Sequence, residues 1–195
     1  MAASGGEFEA VAMIFEFLTR PEPAKAAGRR LYAALVAQAR APRLYGELGA
    51  PDTPDGRFEV YTLHVLLALA RLKGGGRRAA AVSQAVFDAY LGGLDHGLRE
   101  LAVGDLSVGK TMRKLAGAFY GRARALEIAL DCLPDRSQLE ALIGRTLLSA
   151  AAAPGPATPG PAAALAAHFL RLREELAAAD IERMLEGELC WPAPA

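Results

Sequence analysis

The stretch Asp52-Thr53-Pro54-Asp55-Gly56-Arg57-Phe58-Glu59-Val60-Tyr61-Thr62-Leu63-His64-Val65-Leu66-Leu67-Ala68-Leu69-Ala70-Arg71-Leu72-Lys73 decides how this chain folds. Its first residues read as a polar turn. Pro54 presets φ, Asp55 bonds its own backbone, and Gly56 is expected to take a positive φ. The segment that follows is apolar on nearly every side. Over 57–73 it predicts a helix about 25 Å long. A helix apolar all round is buried, so the remaining helices are expected to pack around it.

Working outward, the whole chain supports that reading. Alanine and leucine dominate and β-branched residues are sparse, which favours helix over strand. The expected fold is all-α: a compact bundle of about six to eight helices around the central buried helix 57–73. Its 195 residues can bury a core without disulfides or metals. With 22 Lys and Arg against 22 Asp and Glu, the chain lacks the bulk positive charge of a general nucleic-acid binder. Cys132 and Cys190 form no CxxC, so neither a zinc site nor a disulfide framework is expected. The N-terminus carries Glu7 and Glu9 and reads neither as a secretory signal nor as a transit peptide, and no run of about 18 apolar residues predicts a membrane span.

In chain order, Ser4 and Glu7 make a capping box before a short helix bearing Phe8, Val11, Phe15 and Leu18, which Pro21 and Pro23 end. A second helix is predicted over 24–40, with Leu31, Leu35 and Val36 inward. Arg29, Arg30, Arg40 and Arg43 make this region cationic, ordinarily just a solvated face. One further turn is expected at 44–48. Gly74-Gly75-Gly76 stops the central helix, and the next is expected over 77–101. Residues 102–107 read as a loop, with Asp105 or Ser107 capping a helix to about 133. Another helix, capped by Asp135, is expected to about 153. The domain organisation read here is a helical domain over 1–153, a Pro/Gly linker over 154–161, and a C-terminal helical segment over 162–195 packing on the domain. That last segment is rich in Glu, and its charge suits docking on the cationic second helix.

Gly104-Asp105-Leu106-Ser107-Val108-Gly109-Lys110-Thr111 matches the phosphate-cradling G-x-x-x-x-G-K-[ST] pattern. That chemistry needs a parallel strand immediately before the loop, and the preceding residues read as helix. A nucleotide-binding protein using 104–111 is therefore the weaker alternative. His64, His96 and His168 lie in no metal-ligand spacing, and no serine or cysteine has a base at a recognisable spacing. No cofactor and no enzyme activity are expected. His64 is expected to be a core histidine held by a hydrogen bond. Gly117 and Gly121 are one turn apart, flanked by Lys110, Lys114 and Arg124. Two readings stay open. The ordinary one packs both glycines inside the domain. The other makes them a bare strip, edged by positive charge, on which a partner helix lies.

Several segments together resemble the ubiquinol–cytochrome c chaperone family: Leu31-Tyr32 with 36–40, 45–58 with its Pro-Asp-Thr-x-Asp-Gly-Arg-Phe core, Leu63-His64, Phe87-Asp88, Leu98-Arg99-Glu100, 103–106, Val108-Gly109-Lys110 and Phe119-Tyr120-Gly121-Arg122. The resemblance covers about 31–130 and leaves out the N-terminal helix and the proline linker. It implies a helical, non-enzymatic assembly factor for respiratory complex III. The implied client is newly made cytochrome b, with a ribosome contact or a small assembly partner as further possibilities. The implied place is the cytoplasm beside the inner membrane, or the mitochondrial matrix in a eukaryote. Partner-binding candidates are Arg57, His64, Asp105, Lys110, Lys114, Gly117, Tyr120, Gly121, Arg122 and Arg124. A further alternative is a helical adaptor whose Arg29, Arg30, Arg40 and Arg43 bind a ribosome or an anionic membrane surface.

Overall fold

The computed structural model describes residues 22–100, 105–148, 160–189 and 191. The expected helix over 8–18 lies outside them. Eight helices follow in order among the described residues: α1 (Glu22–Ala39), α2 (Pro42–Gly46), α3 (Pro54–Leu72), α4 (Gly76–Glu100), α5 (Asp105–Asp131), α6 (Ser137–Thr146), α7 (Pro161–Ala178) and α8 (Ile181–Leu185).

α3 is the expected central helix, and α1, α4, α5 and α7 all pack against it. Its buried residues run without a gap from Thr62 to Ala68. The start differs from the sequence expectation. Pro54, Asp55 and Gly56 form the first helical turn, because Thr53 caps it: the Thr53 Oγ1 accepts the Gly56 N–H at 3.1 Å. Pro54 occupies the first helical position, where its missing N–H costs nothing. Gly56 is therefore helical and is not among the glycines with positive φ. It is required for space instead, since a Cβ there would collide with the Pro51 carbonyl oxygen. The helix closes at Leu72, and Gly74 and Gly76 take φ of +82° and +78° to turn the chain into α4.

Pro23, expected to end a preceding helix, sits in the first turn of α1, where proline is tolerated. α1 runs parallel to α4 at very close range. A Cβ at Gly28 would lie 2.6 Å from the Ala85 carbonyl carbon and 2.8 Å from the Val86 nitrogen. Gly93 likewise makes room for the Tyr32 ring. α5 begins at Asp105, so Asp105 and Ser107 belong to its first turn rather than to a loop before it. α6 stops at Thr146, well short of 153, as Leu147 and Leu148 both turn their N–H groups onto the Ile143 carbonyl.

Pro161 opens α7 at its first turn. α7 is a core layer: Leu165, Ala166, Phe169, Leu172 and Leu176 are buried, and it packs on α3 and α6. Its docking is thus apolar rather than the charge-driven contact with 24–40 that its glutamates suggested. Charge works at the edges. Arg71 Nε donates to the Leu176 carbonyl at 2.9 Å, Arg78 pairs with Glu182 at 2.7 Å, and Arg30 donates to the Glu186 carbonyl beside α8.

Candidate functional site

The polar motif before α3 is a clasp. Arg57 Nε donates to Asp52 Oδ1 at 2.6 Å, and its guanidinium lies 4.9 Å from the centre of the Tyr45 ring. The Tyr45 hydroxyl donates to the Ala39 carbonyl at 2.7 Å, and burial pushes its pKa up to about 12. Arg40 Nε donates to the Tyr61 hydroxyl at 3.1 Å. Asp52, Thr53, Gly56 and Arg57 thereby fix how α1 and α2 meet the start of α3.

On the opposite side of α3 lies Glu59. Residues two apart on a helix are rotated by about 200°, so Arg57 and Glu59 point away from each other. Glu59 is buried and takes a two-pronged grip from Arg122 of α5, at 2.9 and 2.7 Å. Nearby, Thr62 donates to the Phe58 carbonyl at 2.7 Å and so accepts from the buried Tyr90 hydroxyl at 2.8 Å. Phe119 stacks between α4 and α5, 4.9 Å from the Phe87 ring and 5.3 Å from the Tyr90 ring. This set locks α4 and α5 onto α3.

The histidines form a third set. His64 is wholly buried, and its Nδ1–H donates to the Val60 carbonyl at 2.8 Å. Its ring lies 5.8 Å from that of His168 and 5.4 Å from Phe169, between α3 and α7. The Nε2 atoms of both histidines are buried without a hydrogen-bond partner. Burial holds the His64 pKa down to about 3. Burial, and then Arg171 and Arg43, hold His168 down to about 4. Both rings are neutral at pH 7.

The open feature is a groove of about 880 Å³ between the C-terminal halves of α3, α5 and α7, touching α4 at Ser83. Its floor includes Leu66, Leu69, Ala70, Phe119, Ala123 and Leu130. Its rim carries both signs: Arg71, Lys73, Arg124 and Arg173 against Glu127, Asp131 and Glu174. Tyr120, 64% exposed, forms one lip together with Arg124.

The residues singled out from sequence separate accordingly. Lys110, Lys114, Gly117, Tyr120, Gly121 and Arg124 do share one exposed face of α5. The ordinary reading of the glycines is overturned, since a Cβ at Gly117 or Gly121 meets nothing within 4 Å. Arg122 faces inward to Glu59. Arg57 belongs to the clasp, turned away from α5, and His64 is enclosed in the α3–α7 seam, so neither reaches that face. Asp105 stands at the start of α5, and more than three turns of helix separate it from Tyr120. In the nucleotide pattern, residues 105–111 are helical, so the N–H groups from Gly109 onward are committed to the helix and these residues form no loop that could wrap a phosphate. The described residues contain no strand. Of the cations in 24–43, Arg30, Arg40 and Arg43 are tied to Glu186, Tyr61 and Glu47.

Sequence reasoning missed Glu59, Gly28, His168 as the partner of His64, and the groove. A single acid beside an apolar helical run was the available signal for Glu59, because a buried carboxylate requires a cation. Among the described residues no helix is long and apolar enough to cross a membrane, and no three His, Cys, Asp or Glu side chains cluster as metal ligands.

The described residues thus form a helical bundle with an open, apolar-floored groove and a mixed-charge rim. The model of the ubiquinol–cytochrome c chaperones matches residues 46–191, and the chain belongs to that family. The match runs through the proline linker to Trp191, so the linker and the C-terminal helices are part of the family domain, contrary to the extent read from sequence. The fold is also that of the crystal structure of the Cbp3 homolog from Brucella abortus, with 34% sequence identity, a TM-score of 0.76, and 94% of this chain and 97% of that chain covered. No curated protein matches the chain.

Proposed function

We propose that this ubiquinol–cytochrome c chaperone binds newly made cytochrome b and promotes assembly of ubiquinol–cytochrome c reductase, with the groove between α3, α5 and α7 receiving an apolar segment of the client. It works from the aqueous side of the membrane that carries the complex. The observation that carries this reading is the groove, in a chain of this family. Its leucine, alanine and phenylalanine floor suits a helix of a membrane protein, and its mixed-charge rim suits the polar residues that flank such a helix.

Gene deletion tests the function: cytochrome b and ubiquinol–cytochrome c reductase activity are expected to fall, and normal levels of both would refute it. The site is tested separately by Ala70→Trp. Ala70 is exposed and lines the groove, so the indole fills it without disturbing the core. The expected result is lost capture of cytochrome b at an unchanged melting temperature. Full capture would remove the groove as the client site while leaving the function standing.

A further inference from the structure

The N-terminal half of α5 carries a charged surface that neither the fold nor the groove uses. Between Leu106 and Leu126 this helix holds Lys110, Arg113, Lys114, Arg122 and Arg124, and no acid. Arg122 turns inward to Glu59, and Arg124 shares Glu127 with Lys73. Lys110, Arg113 and Lys114 are exposed, and among the described residues they have no ion-pair partner. Further along the same outward stripe stand Tyr120 and Ile128, 64% and 45% exposed, the exposed large hydrophobics among the described residues. From Lys110 to Ile128 the stripe is about 27 Å long, and its side chains recur every three or four residues.

The geometry points to this face of α5 as a docking surface for an anionic phospholipid bilayer. Charge complementarity chooses the occupant: three cations within two turns, with no acid of the described residues opposing them. Three further features separate a lipid surface from other anions. The cations of the stripe stand exposed along a helix face, and headgroups need no enclosed site. Tyr120 and Ile128 lie along it, and an aliphatic side chain gains at the headgroup–acyl boundary what a ribose–phosphate backbone does not offer. The chain as a whole has zero net charge, which leaves the attraction local to α5. In this orientation the Tyr120 lip of the groove stands at the bilayer, but vesicle binding is measured without any client and does not depend on the proposed role of the groove.

The test is flotation of the full chain with vesicles of phosphatidylcholine alone, and of phosphatidylcholine with phosphatidylglycerol, at low and high salt. Flotation is expected with the anionic vesicles only, falling as salt rises. Each cation near such a surface is worth about a fivefold gain in partition, so Lys110→Gln with Arg113→Gln and Lys114→Gln should lower it on the order of 100-fold. The melting temperature of that variant should match wild type, since none of the three side chains holds the fold. Ile128→Ser should remove the binding that survives at high salt. Equal flotation with neutral vesicles, or wild-type flotation of the triple variant, would overturn the proposal. Stripping by excess single-stranded RNA or polyglutamate, bound through the same three residues more tightly than the vesicles, would overturn it too and give the face to that polyanion.

Discussion

The packed interior around α3 and the outer face of α5 use the same residue types to opposite ends. Gly56 and Gly28 are walled in by backbone, whereas Gly117 and Gly121 meet nothing. Arg122 grips a buried carboxylate, whereas Lys110, Arg113 and Lys114, on the same helix, face water. Tyr90 is buried with its hydroxyl bonded to Thr62, whereas Tyr120 is largely exposed. A residue type says little until it is known what stands opposite. Inward residues are held by neighbours that must shift if they change. Outward ones are free to change without cost to the fold, which makes them the places where binding can be altered alone.

The widest break in this contrast should come from acid. His64 and His168 are neutral in the folded chain, with pKa values of about 3 and about 4, and titrate near 6.5 once unfolded. Their folded pKa values are lowered, so their contribution is intact above about pH 6.5. It is lost as pH falls from there toward 4, because only the unfolded state binds the protons in that window. The slope is up to about 1.4 kcal/mol per pH unit for each histidine, and integrates to about 3 kcal/mol for the pair between pH 6.5 and 5. Urea titrations across this range should show stability falling, and His64→Leu with His168→Leu should flatten the dependence. An unchanged slope in the double variant would show that the seam does not sense protons.

Next in size is the Glu59–Arg122 pair. Arg122→Ala leaves a carboxylate buried without its cation, at a cost of about 3 kcal/mol, or about 10 °C in melting temperature for a chain of this length. A double-mutant cycle with Glu59→Gln measures the coupling, and additive effects would mean that the pair contributes nothing beyond its separate members. Gly56→Val ranks third, at about 2 kcal/mol by calorimetric melting, because the Pro51 carbonyl leaves no space for a branched side chain. A melt matching wild type would show that the Pro51 segment can move away at no cost.

The existence of most helices was legible in the sequence, since it depends on local period and on breakers such as Gly74 to Gly76. The start of α3 was misread for a local reason too. Thr53-Pro54-Asp55-Gly56 satisfies both turn and helix-cap chemistry, and the Thr53 bond to Gly56 decides between them. What stayed illegible depends on long-range neighbours. Glu59 and Arg122 are 63 residues apart, and the groove borrows its walls from four helices. The spacing of Gly117 and Gly121 reports only that they share a face, and nothing local says whether that face looks inward or outward.

The smallest expected effect sharpens the comparison most, because its sign differs between the two regions. Gly121 sits in the interior of α5, where glycine is about 1 kcal/mol less favourable than alanine. Nothing lies within 4 Å of a Cβ built there, so a side chain should gain helix propensity without overpacking. Gly121→Leu is therefore expected to raise the melting temperature by about 1–3 °C, by circular dichroism, where the same change at Gly28 would lower it. Gly121 also adjoins Tyr120 and lies one turn from Arg124 on the lip of the groove. A leucine there adds bulk where an incoming client helix must pass, so capture of cytochrome b should fall in the stabilised variant. Stability and capture moving in opposite directions cannot arise from damage to the fold. If Gly121→Leu melts lower than wild type, α5 is covered by part of the chain and its face is not open. If it melts higher and captures the client fully, the lip takes no part in binding, and the glycine persists there for no reason the fold supplies.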